Sequence, residues 1–474
     1  MRADRKPSTR RPMRESRSRR QALVLIFLSA IAVLVATKLL VDPEDATPSH
    51  SGAEQSLCPR CNLILISIDT LRADHMSCYG YERDTSPEIC SFFADGTRFE
   101  NAYSQSSWTA PAHASMFTGL LPARHGVTYG PLIPTLTGHS TVFELLHDEG
   151  YFTAALYGGG YVNPVMPDSH IDFKRIIELR RDLGRQLEGA LRSKPKEQPF
   201  FLFLHGYDVH TPYAPQENYF AEPRPEIDRL SRENRYCKYQ NAADRSRYLD
   251  PDSIPSDRST QEYLESLYDS EILEVDRSLG RFFRHLRSRG LLDRTIVILT
   301  SDHGEEFWDH GSCEHVKTVH NELLHVPLFV RIPGDAGRVE TTPVAANVDV
   351  LPTLAEALGW PALESIDGAS VLRPVPRDIF SEAQFHYDSQ HLRRYSVVRG
   401  NQKLIYDANA DTRAMFDLES DPGEQRPRIA GGDAGTSLID ALRQYIERGA
   451  PVVQHDEALD PQTLDQLKQL GYIE

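Results

Sequence analysis

Short apolar segments alternate with longer amphipathic segments from residue 62 onward. Near-continuous apolar segments of strand length are typical of strands that are covered on both faces of a parallel sheet. The longer segments 139–150 and 260–290 carry apolar residues at helical spacing. The strand-like segments are 62–69, 151–157, 199–205, 295–302 and 326–332. This alternation predicts an α/β fold with a doubly wound, mainly parallel sheet.

A different pattern occupies the N-terminus. Residues 1–20 form a basic arm with nine Lys or Arg and two acidic residues, and residues 22–41 are almost entirely apolar. At about 1.5 Å per residue, a helix of this length matches the hydrocarbon core of a bilayer. The basic flank predicts a transmembrane anchor over 21–42 with a cytoplasmic N-terminus, followed by a polar linker over 43–57. A cleaved signal peptide and a buried core helix are the alternatives.

Charge and length narrow the class of protein. The net charge is −16 although the N-terminal arm is basic, so the rest of the chain is strongly acidic. Phosphate backbones are bound by Lys- and Arg-rich surfaces, which argues against nucleic acid as a partner. Nothing in the sequence indicates an obligate protein partner. The 474 residues predict one large domain and a smaller companion.

All six cysteines follow the apolar stretch, in the part that the anchor places in an oxidising compartment. Cys58 and Cys61 have the spacing of a redox or metal pair, but no second ligand pair stands nearby. We expect structural disulfides or inert thiols, with the pairing left open. The cysteines are Cys58, Cys61, Cys78, Cys90, Cys237 and Cys313.

Three predicted strands end in a polar side chain, Asp69, His205 or Asp302, and His303 follows the last of these. The carboxyl ends of parallel strands meet at the edge of the sheet where doubly wound folds bind ligands. Carboxylates together with an imidazole form a divalent metal site that favours Zn²⁺ or Mn²⁺, with Ca²⁺ and Mg²⁺ as alternatives. A lone Asp at a strand end is more often a turn or cap residue, but three such ends together predict one metal ion.

The segment SSWTAPAHASMFTG, residues 106–119, places Thr109 near the start of a predicted helix. In one interpretation Thr109 caps a helix that begins near Pro111. A helix N-terminus also attracts anionic esters, and a neighbouring metal activates a hydroxyl as a nucleophile. The two roles are compatible, and the nearby metal residues favour catalysis.

Six segments in the same order make the chain similar to the sulfatase family within the alkaline-phosphatase-like superfamily. They are 62–87, 108–127, 201–213, 295–311, 314–334 and 403–425. The resemblance implies a large catalytic domain, which we place at 58–378. It also implies a small C-terminal α+β subdomain with a four-stranded antiparallel sheet, which we place with a tail helix at 379–474.

The resemblance also assigns residues to roles. The implied metal ligands are Asp69, Thr109, Asp302 and His303. The implied contacts to the charged head of the ester or to the leaving group are His210, His315 and Lys317, and His113 stands where the family usually has an arginine. A leaving alkoxide needs a proton donor and a transferring oxyanion needs cations, so these residue types suit the chemistry.

Other roles for these residues remain open. His210 would otherwise be a turn residue before Pro212, and His315 and Lys317 would belong to a solvated loop. Asp208 is a candidate for a second metal site.

The sequence departs from the family pattern in two places. The resemblance implies sulfate-ester cleavage by a formylglycine that is made from Cys or Ser in a Cys-x-Pro-x-Arg pattern, whereas this chain has Thr109-Ala-Pro-Ala-His113. Threonine cannot be matured that way. Thr70 also replaces an expected second Asp. Both changes resemble the phosphoesterase side of the superfamily, so we expect a membrane-anchored, metal-dependent hydrolase of sulfate or phosphate/phosphonate esters that acts on phosphoesters through Thr109.

Two other functions stay open. A phosphoethanolamine-type headgroup transferase would share the core, but such enzymes usually have several membrane spans and this chain shows one. A non-catalytic binding module would have lost a metal ligand, and none of the four is lost.

The substrate is a small-molecule, glycan or lipid ester that the sequence does not identify. We expect the polar stretch 221–259 to be a surface insertion at the mouth of the site, and 459–474 to form an amphipathic helix. The anchor predicts a catalytic domain outside the cytoplasm, in the periplasm if the source is bacterial.

Overall fold

The computed structural model describes residues 57–127, 136, 138–167, 169–233, 257–387 and 390–449. The predicted anchor at 21–42, residues 234–256 of the predicted insertion and the predicted tail helix at 459–474 lie outside these ranges. Among the helices within them, none combines the length and the apolar character that a bilayer span requires.

Sixteen strands lie in the described part of the chain. They are β1 (Asn62–Ile68), β2 (Thr97–Phe99), β3 (Ala102–Tyr103), β4 (Phe152–Tyr157), β5 (Phe173–Ile176), β6 (Phe200–Gly206), β7 (Thr295–Thr300), β8 (Glu306–Phe307), β9 (Cys313–Glu314), β10 (Leu328–Arg331), β11 (Arg338–Glu340), β12 (Val344–Ala345), β13 (Ile379–Tyr387), β14 (Gln390–Arg399), β15 (Gln402–Asp407) and β16 (Thr412–Asp417). All five strands predicted from the apolar segments are confirmed, as β1, β4, β6, β7 and β10.

Ten α-helices accompany them in the same ranges. They are α1 (Pro87–Phe92), α2 (Thr109–Thr118), α3 (Pro122–His125), α4 (Val142–Asp148), α5 (Leu183–Ala190), α6 (Pro225–Arg232), α7 (Arg258–Ser288), α8 (Asn321–Leu324), α9 (Val350–Leu358) and α10 (Gly432–Arg448). The two helices predicted at 139–150 and 260–290 are α4 and α7. A capping box between Thr141 and Glu144 fixes the start of α4.

The central sheet has eight strands in the order β11-β2-β10-β7-β1-β6-β4-β5. Strand β1 pairs in parallel with both β6 and β7, which brings their carboxyl ends to one edge. Strand β10 runs antiparallel to β7 and β2, so the sheet is mixed and mostly parallel.

The two faces of the sheet explain why its strands are apolar throughout. In β1, Ile64 and Ile66 pack into the core on one face, whereas Leu63 and Leu65 pack into the core on the other. Because successive side chains of a strand point to opposite faces, a strand covered on both faces has no solvent-facing position left for polar residues. Every residue of β1, β6 and β7 is buried.

The small C-terminal sheet runs in the order β13-β14-β15-β16, with every pairing antiparallel. Helix α10 packs on it through Leu438, Leu442 and Tyr445. This confirms the predicted antiparallel sheet with a helix. The described residues between 57 and 449 fall into a single compact unit, so the division between 378 and 379 stays a prediction.

Two disulfides join cysteines near the start of the described chain. Cys58 is bridged to Cys61, and Cys78 is bridged to Cys90. The spacing of the first pair therefore reflects a disulfide in this structure. Cys237 lies outside the described residues.

Candidate active site

Three candidate metal ligands meet at the carboxyl ends of the central strands. Asp69 directly follows β1, and Asp302 and His303 follow the neighbouring strand β7. One ligand atom from each lies within 4.8 Å of the others, and all three residues are buried. The strand ends thus bring together the residues that the sequence singled out.

Thr109 joins this group from helix α2. The helix begins at Thr109 itself and its N-cap is Trp108, so the expectation of a Thr109 cap on a helix starting near Pro111 is wrong. The Thr109 Oγ1 atom lies 3.5 Å from Asp69 Oδ2 and 3.4 Å from His303 Nε2. The hydroxyl is therefore directed at the metal residues while the backbone begins the helix.

The carboxylates of this cluster are arranged for a cation. Asp69 Oδ1 and Asp302 Oδ2 are buried and have no hydrogen-bond partner among the described residues. Burial, and then the charges of Asp302 and Glu305, raise the pKa of Asp69 well above its usual value. Burial also raises the pKa of Asp302. Two buried carboxylates side by side are costly without a compensating positive charge.

The imidazole of His303 completes the donor set. Burial, and then the neighbouring His315, lower the pKa of His303 to about 3, so the ring is neutral near pH 7. A neutral imidazole has the lone pair that a metal ligand needs. Asp69, Thr109, Asp302 and His303 therefore fit a divalent metal, and their mixed O and N donors suit Zn²⁺ or Mn²⁺.

His113 lies one helical turn from Thr109 along α2. Its Nδ1 is 2.9 Å from the Thr109 carbonyl oxygen and 3.6 Å from Asp302 Oδ2, and its Nε2 is 3.0 Å from Ser67 Oγ. The ring is fully buried, and burial lowers its pKa. The structure thus places His113 where it supports Thr109 and Asp302; a contact with the ester stays a prediction.

His210 and His315 stand beside the metal residues. Their ring centroids are 4.9 Å apart, and the His315 ring lies 4.5 Å from that of His303. Burial lowers the pKa of each of the two rings to about 3. The next cause is the charge of His315 for the His210 ring, and the charge of Lys317 for the His315 ring. The structure therefore brings both histidines next to the candidate metal ligands, and their contact with an ester stays a prediction.

Lys317 is half-buried near this pair. Its charge lowers the pKa of His315, and its carbonyl oxygen accepts a hydrogen bond from Arg394 of the small sheet at 2.6 Å. The structure therefore places Lys317 near His315, on a segment that the small C-terminal sheet contacts through Arg394.

Asp208, the candidate for a second metal site, is held by hydrogen bonds and an ion pair in this structure. Its two carboxylate oxygens accept hydrogen bonds from the backbone nitrogens of Leu179 and Arg180, and it pairs with the Arg180 guanidinium at 3.1 Å. Asp208 thus fixes a loop. His205, the third residue at a strand end, has its Nε2 3.7 Å from Asp69 Oδ2, and this nitrogen has no hydrogen-bond partner among the described residues.

Two residues of the site escaped the sequence reasoning. Glu305 Oε1 lies 2.9 Å from His315 Nδ1, and its Oε2 accepts a hydrogen bond from Tyr213 Oη at 2.9 Å. The Tyr207 hydroxyl accepts a hydrogen bond from the Tyr161 backbone nitrogen at 3.1 Å. Burial, and then the charge of Asp69, raise the pKa of Tyr207. Each lies two or three residues beyond the end of a predicted strand, 199–205 or 295–302, which is the one feature that would have identified them.

Comparison with known proteins is consistent with this geometry. A sequence model of the sulfatase family matches residues 61–360. Human arylsulfatase A is 25% identical over 446 residues, which cover 81% of this chain and 86% of arylsulfatase A.

Two solved structures share the fold. One, a protein in complex with its substrate D-glucosamine-2-N,6-O-disulfate, has a TM-score of 0.66 and 20% identity, covering 87% of this chain and 98% of its own. The other, the phosphonate monoester hydrolase of Agrobacterium radiobacter, has a TM-score of 0.64 and 17% identity, covering 82% and 95%.

Proposed function

The chain belongs to the sulfatase family and is an ester hydrolase of that family, and on this premise we propose that it cleaves phosphate or phosphonate esters with Thr109 as the nucleophile. One observation carries the proposal. The Thr109 hydroxyl lies within 3.5 Å of Asp69 and 3.4 Å of His303, at the position that the family resemblance gives to a formylglycine. A threonine lacks the chemistry of a formylglycine hydrate, but its hydroxyl is a competent nucleophile toward phosphorus.

The fold is compatible with this substrate class. The neighbour from Agrobacterium radiobacter is a phosphonate monoester hydrolase, whereas arylsulfatase A is named for sulfate esters. The fold thus accommodates both ester types, and in this chain the proposed nucleophile favours phosphorus.

The residues account for a two-step displacement. In the first step a bond forms between Thr109 Oγ1 and phosphorus while the bond from phosphorus to the leaving oxygen breaks, and the proton that Thr109 gives up passes through the neutral imidazole of His210 or His315 to that leaving oxygen. In the second step the oxygen of a water molecule bonds to phosphorus while the bond from phosphorus to Thr109 Oγ1 breaks. One proton of that water passes to Thr109 Oγ1, which restores the hydroxyl, and the phosphate or phosphonate product leaves. When bound by Asp69, Asp302 and His303, a divalent ion supplies positive charge that favours the threonine alkoxide.

We also propose that residues 21–42 anchor the enzyme in a membrane with the catalytic domain outside the cytoplasm. The basic arm before this apolar stretch supports the orientation. The Cys58–Cys61 and Cys78–Cys90 disulfides support an oxidising compartment. Recovery of the full chain in the membrane fraction, with its catalytic domain accessible to protease from the non-cytoplasmic side, tests this part.

The substrate test uses the full chain in mild detergent with Zn²⁺ or Mn²⁺. Turnover of an aryl phosphate, a phosphate diester, an aryl phosphonate and an aryl sulfate is compared for wild type, Thr109→Ala and Thr109→Ser. We expect phosphorus esters to be the better substrates, Thr109→Ala to lose a factor on the order of a thousand or more, and Thr109→Ser to keep part of the rate. Acid-quenched wild type should carry one phosphoryl group on the peptide that contains Thr109.

The other outcomes separate the alternatives. Sulfate release that survives in Thr109→Ala overturns the nucleophile assignment. Transfer of the phosphoryl headgroup to an added alcohol in place of water indicates a headgroup transferase. Metal binding without turnover of any ester supports a binding module.

A further inference from the structure

A second group of potential metal ligands lies outside the active site. His147 and Asp148 end helix α4, and His170 belongs to the connection between β4 and β5. One ligand atom from each of the three lies within 4.8 Å of the others. The imidazole rings of His147 and His170 meet edge to face, with centroids 5.1 Å apart. We call His147, Asp148 and His170 the edge cluster.

The backbone segments that carry the edge cluster are fixed to each other through Thr153. The Thr153 hydroxyl donates a hydrogen bond to the His170 carbonyl oxygen at 2.6 Å, and the Thr153 backbone nitrogen donates one to Asp172 Oδ2 at 2.8 Å. On the other side, backbone hydrogen bonds from Gly150 and Tyr151 close the end of α4 onto the start of β4. Both histidines are therefore held at defined positions beside β4, which limits the ordering cost of binding a ligand.

The edge cluster is remote from the catalytic residues. Strands β4 and β5 are parallel, and the cluster lies just before each of them begins. Asp69 and Asp302 lie where β1 and β7 end. A strand of six residues spans about 20 Å, so the two sites lie at opposite edges of the same sheet. Metal bound at one is not shared with the other.

The donor set determines which ion suits the edge cluster. Two imidazoles and one carboxylate with water in the fourth position form a tetrahedral Zn²⁺ site, in which neighbouring ligand atoms lie about 3.4 Å apart. The ligand atoms of the edge cluster lie within 4.8 Å of one another, so small side-chain rotations bring them to the spacing of a tetrahedral site. The His170 Nδ1 is 2.8 Å from Ser169 Oγ, which fixes one ring nitrogen and leaves Nε2 for a metal. We propose that the edge cluster binds a Zn²⁺ ion that ties the β4–β5 connection to the end of α4.

The test counts zinc ions on the full, untagged chain after chelation and dialysis. In an Asp302→Asn background, which disables the catalytic site, we expect one Zn²⁺ per chain by calorimetric titration. His170→Gln in that background should weaken this binding on the order of tenfold or more, because one of three protein ligands is lost. His139→Gln, at a histidine that precedes α4 in the sequence and lies outside the edge cluster, should leave it unchanged.

A spectroscopic readout makes the result independent of the catalytic site. The Cu²⁺ form of the Asp302→Asn chain should show electron paramagnetic resonance couplings from two imidazole nitrogens, and His147→Gln or His170→Gln should reduce them to one. The proposal is overturned if the background chain binds no Zn²⁺, or if both variants leave its affinity and the copper spectrum unchanged. Loss of binding in His139→Gln alone would also overturn it.

Discussion

Glu305 connects a proton-transfer candidate to the rest of the site. Its carboxylate is fully buried, contacts His315 Nδ1 through one oxygen and accepts the Tyr213 hydroxyl hydrogen bond through the other. A carboxylate that accepts from one ring nitrogen fixes the tautomer and the orientation of the imidazole. Glu305 is therefore a positioning residue for His315.

We expect Glu305→Gln to lower kcat about ten- to a hundredfold while KM changes little, because the side chain keeps its size but loses the charge that orients His315. Steady-state kinetics on the preferred phosphorus ester measure this. Tyr213→Phe, which removes a single neutral hydrogen bond to the same carboxylate, should cost less. A Glu305→Gln enzyme that has lost its metal, or that has normal kcat, would contradict the positioning role.

The candidate metal ligands lead to a second prediction, which concerns the stability of the protein. Asp69 and Asp302 place two carboxylates in a buried cluster with unpaired oxygens. With the metal removed by a chelator, Asp302→Asn should be more stable than wild type by ~1–3 kcal/mol, because one buried charge is gone. With excess Zn²⁺ the order should reverse, since wild type binds the ion more tightly. Urea unfolding in the two conditions measures both, and an unchanged order would show that the cluster does not hold the ion.

Some residues of the candidate site could be predicted from the sequence and others could not. Asp69, Asp302 and His303 were found because they lie at or next to the ends of apolar segments that predict buried strands, and such ends meet at one edge of the sheet. Glu305 and Tyr207 were not found, because their contacts depend on how the loops turn after β7 and β6. No periodic pattern in the sequence encodes that turn.

Among the elements, the long buried strands were predictable and the short ones were not. Strands β1, β4, β6 and β7 are continuous apolar segments of strand length, which is the pattern that predicts them. Strands of two or three residues, such as β3 and β8, are too short to form such a segment. The antiparallel direction of β10 was also not predictable, since its sequence pattern is the same in either direction and its connection to the sheet decides the direction.

The turn after β7 is packed too tightly for a side chain at Gly304. A Cβ atom there would lie 2.0 Å from the carbonyl oxygen of Glu322 in α8, and the Gly304 nitrogen already donates a hydrogen bond to the Leu323 carbonyl at 2.8 Å. The glycine allows the segment that carries Asp302 and His303 to lie directly on α8.

We expect Gly304→Ala to displace this turn and to reduce metal affinity and kcat at least about tenfold, because the ligands must keep their geometry to within a fraction of an ångström. Metal content and kinetics of the purified variant measure the effect. Gly189→Ala in α5, where an added Cβ meets no atom closer than 4.0 Å, is the matched control and should stabilise the protein by ~0.5–1 kcal/mol. A fully active Gly304→Ala would contradict the tight packing.

At the scale of the whole molecule, the small C-terminal sheet supports the loop that carries His315 and Lys317. Glu424 Oε2 accepts a hydrogen bond from the Asn321 nitrogen at 2.6 Å, and Glu424 pairs with the fully buried Lys403 at 2.8 Å. Arg394 of β14 donates to the Lys317 carbonyl oxygen. The family resemblance predicted the small sheet, but only the structure shows that its residues contact the site loop.

The same interface contains two groups with shifted pKa values, the imidazole of His310 and the carboxylate of Glu424. His310 Nδ1 lies 2.8 Å from Glu322 Oε1, its Nε2 lies 3.1 Å from the Glu424 carbonyl oxygen, and its ring stacks on that of His320. Burial by itself would lower the pKa of His310, but the hydrogen bond and charge of Glu322 raise it to about 9. For Glu424, burial would raise the pKa, but Lys403 and then His320 lower it to about 2.

These shifts set opposite limits on the pH range of full stability. The His310 pKa is raised on folding from about 6.5, so its contribution is complete below about pH 6.5 and is lost as the pH rises through 9. The Glu424 pKa is depressed from about 4.5, so its contribution is complete above about pH 4.5 and is lost as the pH falls through 2. Stability from this interface is therefore greatest between about pH 4.5 and 6.5.

We expect His310→Gln to lower the free energy of unfolding by ~1–2 kcal/mol at pH 6, since the ideal value of about 3 kcal/mol for the shift is reduced by solvent screening of a partly exposed pair. The difference from wild type should shrink steadily between pH 7 and 10, because the wild-type imidazole is then losing the proton that makes the interaction favourable. Urea unfolding at a series of pH values measures both curves. Glu322→Gln should produce the same loss of alkaline dependence, because either change removes one partner of the same pair. Suppose that the free energies of unfolding of wild type and His310→Gln change in parallel over this pH range. The interface would then hold His310 in its neutral form, and the pH dependence of the attachment of the small sheet would depend on Glu424 alone.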